Sequence, residues 1–442
     1  MKFISTNGNA SSVSFSTAAL QGLAPDGGLY LPKDWPQLSE DFLADLSSKS
    51  LQNIGVEVSR LFVEELDEEL LQKIVNEALN FDAPLINLYE TKKVLELFHG
   101  PTLAFKDFGA RFMSRLFSEL RKEADRDLII LAATSGDTGS AVAQGFLGVE
   151  GVKVCLLYPS GKVSHIQEQQ LTTAGQNVTA LEVDGTFDDC QKMVKQAFSD
   201  TSLNEQLLLS SANSINIARL LPQMFYYLYA VAQLDSDHSP IFCVPSGNFG
   251  NLTAGLMAQK IGLPVAGFIA ATNANDVIPT YLRTGEFKPR ISEQTISNAM
   301  DVGNPSNFAR IRYLFDDDLQ KVRQHLWSAS FSNAQTRDAI KEVYRKYHYL
   351  MDPHTAVGYY AAEQYLNNEG GYFAEDADTP VIILSTAHPA KFGDVIEPVI
   401  GEPVPIPDRL AHCLKKPKQS TALDNDYRKL REWLLKNYEP ES

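Results

Sequence analysis

Cysteine is scarce in this chain: four residues in 442, at positions 155, 190, 243 and 413. Their spacing offers no metal-type pairing, and so few thiols say nothing of a disulfide framework and fit a reducing compartment. Cys155 and Cys243 fall inside apolar, strand-like runs, where a small buried thiol is the usual occupant. Cations are outnumbered as well: 39 Lys and Arg face 55 Asp and Glu, for a net charge of −16. That balance argues against non-specific binding to nucleic acid or to an acidic membrane surface. Long apolar runs of membrane-spanning length are missing too. The opening MKFISTNGNASSVSF carries a polar cluster where a signal peptide needs a continuous apolar core. The expectation is a soluble, cytoplasmic protein with no nucleic-acid and no membrane partner.

What the chain has is length and an ordinary globular balance, 44% apolar and 21% charged, enough for two or three domains. Residues 1–85 read as a separate, mostly helical unit. It holds a short strand at Lys2–Ser5, the turn-rich LAPDGGLYLPKDWP, and apolar residues at helical spacing over Val58–Asn80 with a solvated acidic face. From about residue 86 to 400 the pattern changes. Short runs rich in Val, Ile and Leu (Asp127–Ala133, Val152–Tyr158, Val178–Val183, Ile241–Val244, Val265–Ala271, Val381–Leu384) read as strands. Helices are expected between several of them, at Ser140–Phe146, Asp188–Phe198 and Leu252–Ile261. This alternation predicts an α/β fold of open, largely parallel sheets with helices on both faces. Residues 308–348 read as a helical insertion without a strand. Residues 401–442 form a tail ending in a helix over Tyr427–Tyr438, packed on the outside.

One stretch organises the chemistry: Phe98–Met113, FHGPTLAFKDFGARFM. At its centre Lys106 is flanked by Phe105 and Phe108, at the start of an expected helix. Desolvation disfavours an ammonium and frees a lone pair for attack on a carbonyl, the state in which a lysine holds a cofactor as a Schiff base. The plain alternative is a surface lysine in the first turn of an amphipathic helix.

Ligands of open α/β sheets bind beyond the carboxyl ends of the strands, and three loops there carry unusual residues. Thr134, Ser135, Gly136, Asp137, Thr138, Gly139 and Ser140 offer hydroxyls and a helix N-terminus suited to an anion, or only an ordinary helix cap. Ser246, Gly247, Asn248, Phe249, Gly250 and Asn251 place two glycines three apart, which lets successive N–H groups curl around a phosphate. This is neither the dinucleotide fingerprint nor a P-loop. After the strand at 381–384 comes STAHPAK, where a hydroxyl can meet a ring nitrogen. His388 before Pro389 reads as structural, and Lys391 faces either an anionic substrate group or solvent. A further stretch, Ser211–Arg219, offers Asn213, Ser214 and Arg219 to a second anion, which Lys162 and Ser164 could join. Lysine, phosphate cradle and strand-end hydroxyl together suggest pyridoxal 5′-phosphate, and the separate anion pocket suggests a phosphorylated substrate.

The motifs, in their order, resemble those of the threonine synthase family in its bacterial and fungal form. The likeness is carried by HGPTLAFKDF (99–108), ATSGDTGSA (133–141), SANSINIAR (211–219), PSGNFGNLTAG (245–255), FIAATNAND (268–276) and TAHPAKF (386–392), and includes GLAPDGGLYLP near the N-terminus. The resemblance implies two open, twisted-sheet α/β domains of the tryptophan-synthase-β group (fold type II of the pyridoxal-phosphate enzymes) behind a mostly helical N-terminal domain. It implies conversion of O-phospho-L-homoserine and water to L-threonine and phosphate. Lys106 would be the Schiff-base lysine, and Gly247, Asn248, Phe249, Gly250 and Asn251 would hold the cofactor phosphate. Thr386 would meet the pyridine nitrogen, and Asp137 would lie by the phenolic oxygen, where related enzymes often carry Asn. Thr134, Ser135 and Thr138 would hold the substrate carboxylate. Asn213, Ser214 and Arg219 match the substrate-phosphate region. No metal is implied, and a monomer or homodimer is expected, without activation by S-adenosylmethionine. Ser5-Thr6-Asn7-Gly8 departs from the family's Ser-Thr-Arg-Gly. A phospholyase of the same fold shares the cofactor motifs, and a non-catalytic sensor of phosphorylated metabolites has no use for Lys106.

Overall fold

The computed structural model describes residues 1–121, 126–236, 238–368, 373 and 378–438. Two parallel sheets carry the architecture. The larger has six strands in the order Leu326–Ser330, Gly267–Thr272, Ile241–Pro245, Val381–Ser385, Lys92–Glu96, Leu85–Tyr89. All its pairings are parallel except the last, an antiparallel pair closed by the short turn at 90–91. The smaller sheet is wholly parallel: Thr421–Asp424, Val178–Asp184, Val152–Pro159, Leu128–Ala133, Leu208–Ser210. The strands Leu128–Ala133, Ile241–Pro245, Gly267–Thr272 and Val381–Ser385 are buried along their whole length, which is why they read as unbroken apolar runs. All six strands expected between residues 127 and 384 are present within two residues of their expected ends.

Several expectations need correction. The helical spacing over Val58–Asn80 belongs to two helices, Leu51–Phe62 and Glu68–Ala78, because Asp67 caps the second through the Leu70 N–H at 2.8 Å. The acidic residues between them are not merely solvated: Glu65 accepts from the N–H groups of Phe15 and Ser16, both at 2.9 Å, and so caps the helix Phe15–Gln21. Residues 308–348 are not a purely helical insertion, since Leu326–Ser330 is an edge strand of the six-stranded sheet. Its LWSAS sequence is too short and too mixed to stand out from the helices around it. The C-terminal stretch does more than cover the outside. Thr421–Asp424 extends the smaller sheet, and the helix Tyr427–Tyr438 sends Leu430 and Leu434 into a cluster with Cys190 and Met193. The N-terminal helices share one core with the rest: Ile54, Ile74 and Val75 lie in the same buried cluster as Phe112, Leu116 and Phe225. Among the described residues, no helix is long and apolar enough to cross a membrane.

Candidate active site

Strand order fixes where a ligand can sit. In the smaller sheet the chain runs outward from Leu128–Ala133 through two strands, then returns to place Leu208–Ser210 on its other side. In the larger sheet it runs outward from Ile241–Pro245 and returns with Val381–Ser385. Each reversal opens a crevice at the carboxyl ends of those strands. The loops at 134–136, 246–249 and 386–388 are the ones that follow them, and a single cavity joins Ser135, Thr138, the 246–251 loop and Thr386 to Lys106.

Lys106 opens the helix Lys106–Leu120. The loop before it is strained and stitched down. Leu103 sits at φ 60°, in the left-handed region that bulky side chains avoid. The Phe105 N–H donates to the Thr386 carbonyl at 2.9 Å, and the His388 N–H to the Leu103 carbonyl at 3.0 Å. Thr102 donates its N–H and hydroxyl to the buried Asp107 carboxylate at 2.8 and 2.7 Å. Lys106 is thereby held half-buried in the cavity wall, its amine 5.8 Å from the Phe105 ring centroid. Burial pushes its ammonium down to about 8; the charge of Asp137 opposes this, while those of Lys391 and Arg219 add to it.

The 246–251 loop is built as a cradle. Phe249 adopts a left-handed conformation (φ 60°, ψ 12°) immediately before the helix Gly250–Lys260, so the chain curls at the helix N-terminus. The N–H groups of Gly247, Asn248 and Phe249 have no partner among the described residues. Gly247 must be glycine: a Cβ there would lie 2.7 Å from the Met300 Cα. Asn251 turns its side-chain oxygen to the Tyr226 and Tyr227 hydroxyls, each at 2.7 Å, and its buried amide nitrogen has no partner among the described residues. Asn248 is fixed from both ends, donating to Ser214 Oγ at 2.7 Å and accepting from the Ser306 N–H at 2.6 Å.

The loop after Ala133 divides its labour differently from expectation. Ser135 and Thr138 line the cavity, but Thr134 is fully buried and does not. Its hydroxyl oxygen accepts from the Gly136 N–H at 3.0 Å and the Gly139 N–H at 2.7 Å, which folds the loop onto the helix Asp137–Phe146. Asp137 also stays off the cavity wall, because its Oδ1 lies 2.5 Å from Lys391 Nζ and accepts from Gln167 Nε2 at 3.0 Å. Burial alone would raise the Asp137 carboxyl, but Lys391, Lys106 and these hydrogen bonds outweigh it and hold the group ionised. Lys391 therefore faces neither substrate nor solvent.

Asn213, Ser214 and Arg219 do converge on the cavity. Asn213 is anchored through the Ala133 carbonyl at 2.9 Å. Arg219 is buried, gives Nη1 to the Ala212 carbonyl and leaves Nε unpartnered among the described residues. Burial pushes its guanidinium down to about 10, leaving it a cation at neutral pH. Lys162 and Ser164 do not join the site. Lys162 reaches the Gly185 carbonyl at 2.9 Å on the surface, and Ser164 caps the helix His165–Thr172. Neither residue lines the cavity. His388 caps the turn Pro389–Phe392, a structural role. Two contributors escaped the sequence reading. His354 lines the cavity, its Nδ1 on Asp352 at 2.7 Å and its Nε2 accepting from the Ala299 N–H at 3.2 Å; only the helix-start signal of Asp352-Pro353 hinted at its placing. Arg310, buried, donates to the carbonyls of Tyr30, Ser214 and Ile215 and so fixes the loop behind Ser214.

Comparison with known proteins bears on the fold and the family. Residues 93–386 match the family model described as pyridoxal-phosphate dependent enzyme, residues 2–79 that of the threonine synthase N terminus, and residues 355–434 that of the threonine synthase C-terminal region. The threonine synthase of Escherichia coli is 42% identical over 98% of this chain and 99% of that one. This chain belongs to the threonine synthase family. The crystal structure of the Escherichia coli threonine synthase superposes with a TM-score of 0.91 at 41% identity, over 99% of this chain and 100% of that one. A structure of pyridoxal-phosphate-bound threonine synthase from Brucella melitensis gives a TM-score of 0.91 at 34% identity, over the whole of both chains. The two-sheet architecture is thus that of the fold type II threonine synthases, and the cofactor of the family is pyridoxal phosphate.

Proposed function

We propose that this threonine synthase converts O-phospho-L-homoserine and water to L-threonine and phosphate, with pyridoxal 5′-phosphate carried by Lys106. One observation carries the reading: a lysine whose ammonium is destabilised by burial shares a cavity with two separate loops that keep donors unpartnered among the described residues. The cofactor suits the residues present. The free N–H groups of 247–249, the N-terminus of the helix Gly250–Lys260 and the unpartnered amide of Asn251 form a donor set that an anionic phosphate would satisfy. Thr386 would meet the ring nitrogen. When bound, the cofactor supplies an electron sink for bonds broken next to the substrate amine.

The chain's own residues supply the rest. Ser135, Thr138 and the N-terminus of the helix Asp137–Phe146 would hold the substrate carboxylate. Asn213, Ser214 and Arg219 would hold its phosphate, and the unpartnered Arg219 Nε supports that role. The Lys106 amine, its ammonium destabilised by burial, would take the proton from the substrate Cα and serve the proton transfer at Cβ. A neutral hydroxyl at Thr386 does not force the ring nitrogen to stay protonated as a carboxylate would, which favours elimination over transamination. The same reading carries a cytoplasmic location, a monomer or homodimer, and divisions near residues 85 and 400. The test is product analysis of purified protein with O-phospho-L-homoserine. Threonine and phosphate in equal amounts are expected. Phosphate with a keto acid and ammonia would instead make the chain a phospholyase.

A further inference from the structure

Behind the cavity wall lies a buried ion pair that the reaction scheme leaves unused. Lys391 Nζ is 2.5 Å from Asp137 Oδ1, with both side chains withdrawn from solvent. The two residues come from opposite sheets: Asp137 opens the helix after Leu128–Ala133, and Lys391 lies in the turn after Val381–Ser385. Lys391 also donates to the Thr102 carbonyl at 3.1 Å, which Gln170 Nε2 shares at 3.1 Å. Thr102 in turn grips Asp107, next to Lys106. The pair thus grips the loop that presents Lys106.

A buried ion pair is a weak device for stability alone, because well-packed apolar residues of the same volume serve as well. Its charges matter here for what they face. Three ionisable groups act on the Lys106 amine from the elements packed around it: Asp137, Lys391 and Arg219. Asp107 is turned to Thr102, and His354 is held by Asp352. Asp137 alone would hold Lys106 as an ammonium, and Lys391 alone would drive the proton off. Together they leave burial in command.

We propose that Asp137 and Lys391 are positioning residues for Lys106, their opposite charges cancelling at its nitrogen while their hydrogen bonds fix the loop that carries it. The proposal rests on Lys106 being the cofactor lysine. The experiment compares holoenzymes of wild type, Asp137→Asn, Lys391→Met, the double variant and Lys391→Arg. It reads the pH at which the visible band of the bound cofactor titrates. Lys391→Met should raise that pH by about 1 unit and Asp137→Asn should lower it by about 1 unit. The double variant and Lys391→Arg should return to the wild-type value. Single variants that move the same way, or do not move, overturn the proposal. If Lys391→Met does not fold, the contrast between Asp137→Asn and the double variant decides by the same rule. A wild-type protein whose cofactor sits on another lysine overturns the Lys106 reading itself, whereas unmoved titrations in a properly loaded enzyme overturn only the pair.

Discussion

Replacing Asn251 by aspartate is the sharpest probe of the phosphate cradle, because it changes chemistry without changing shape. The introduced carboxylate would still accept both phenol hydroxyls, which reach the Asn251 side-chain oxygen from Tyr226 and Tyr227 at 2.7 Å each. What disappears is the buried, unpartnered amide donor, and a second carboxylate oxygen takes its place. Losing one hydrogen bond to a charged acceptor costs about 2 kcal/mol. Two like charges about 4 Å apart repel by about 4 kcal/mol at an effective dielectric of about 20. A buried acid relieves part of that repulsion by keeping its proton, so the net loss should be about 3 kcal/mol, or about 100-fold in cofactor affinity. The assay is titration of the cofactor-free Asn251→Asp variant with pyridoxal phosphate, followed by absorbance, beside a thermal melt of the same protein. A near-normal melt with affinity reduced about 100-fold is the expected result. Affinity within threefold of wild type would show that the amide does not face the phosphate, and the cradle argument would fail.

Three further expectations follow from other contacts. Gly247→Ala places a Cβ 2.7 Å from the Met300 Cα, and overpacking of about 2 kcal/mol should weaken cofactor binding about 30-fold; unchanged binding by the same titration would contradict the close approach. Thr134→Val leaves the Gly136 and Gly139 N–H groups without their acceptor, so the denaturation free energy should fall by about 3 kcal/mol while Thr134→Ser restores it. Equal loss in both variants would return Thr134 to a direct role in the cavity. Turnover should rise with pH until the free Lys106 amine is neutral, at about 8, because burial favours the uncharged form. A kcat profile still climbing through pH 9 would show a lysine in an ordinary solvated state.

How much of this was legible in the sequence depended on where the information sat. The central strands announced themselves because burial on both faces demands unbroken apolar runs, and the loops after them carried local signatures of glycine and hydroxyl. Edge strands did not. Leu326–Ser330 reads LWSAS and Thr421–Asp424 reads TALD, short and mixed enough to pass for helix or loop, and only their pairing partners make them strands. The same limit governed the site. Residue types that hold an anion were visible, but which hydroxyl turns outward was not: Thr134 and Ser135 are neighbours, and one is consumed inside the loop while the other lines the cavity. Lys391 and Asp137 could not be joined by any local rule, since they follow strands of different sheets and meet only through the tertiary fold. Lys162 failed for the converse reason. A cation in a strand-following loop looks available, but its turn leads to the surface and to the Gly185 carbonyl.

The most direct measurement is borohydride reduction of the purified holoenzyme followed by peptide mapping by mass spectrometry. The mass of the reduced cofactor should appear on the peptide containing Lys106, and not after Lys106→Ala, which should also lose its visible band and its turnover. Cofactor found on the peptide containing Lys391, or full turnover by Lys106→Ala, would contradict the account.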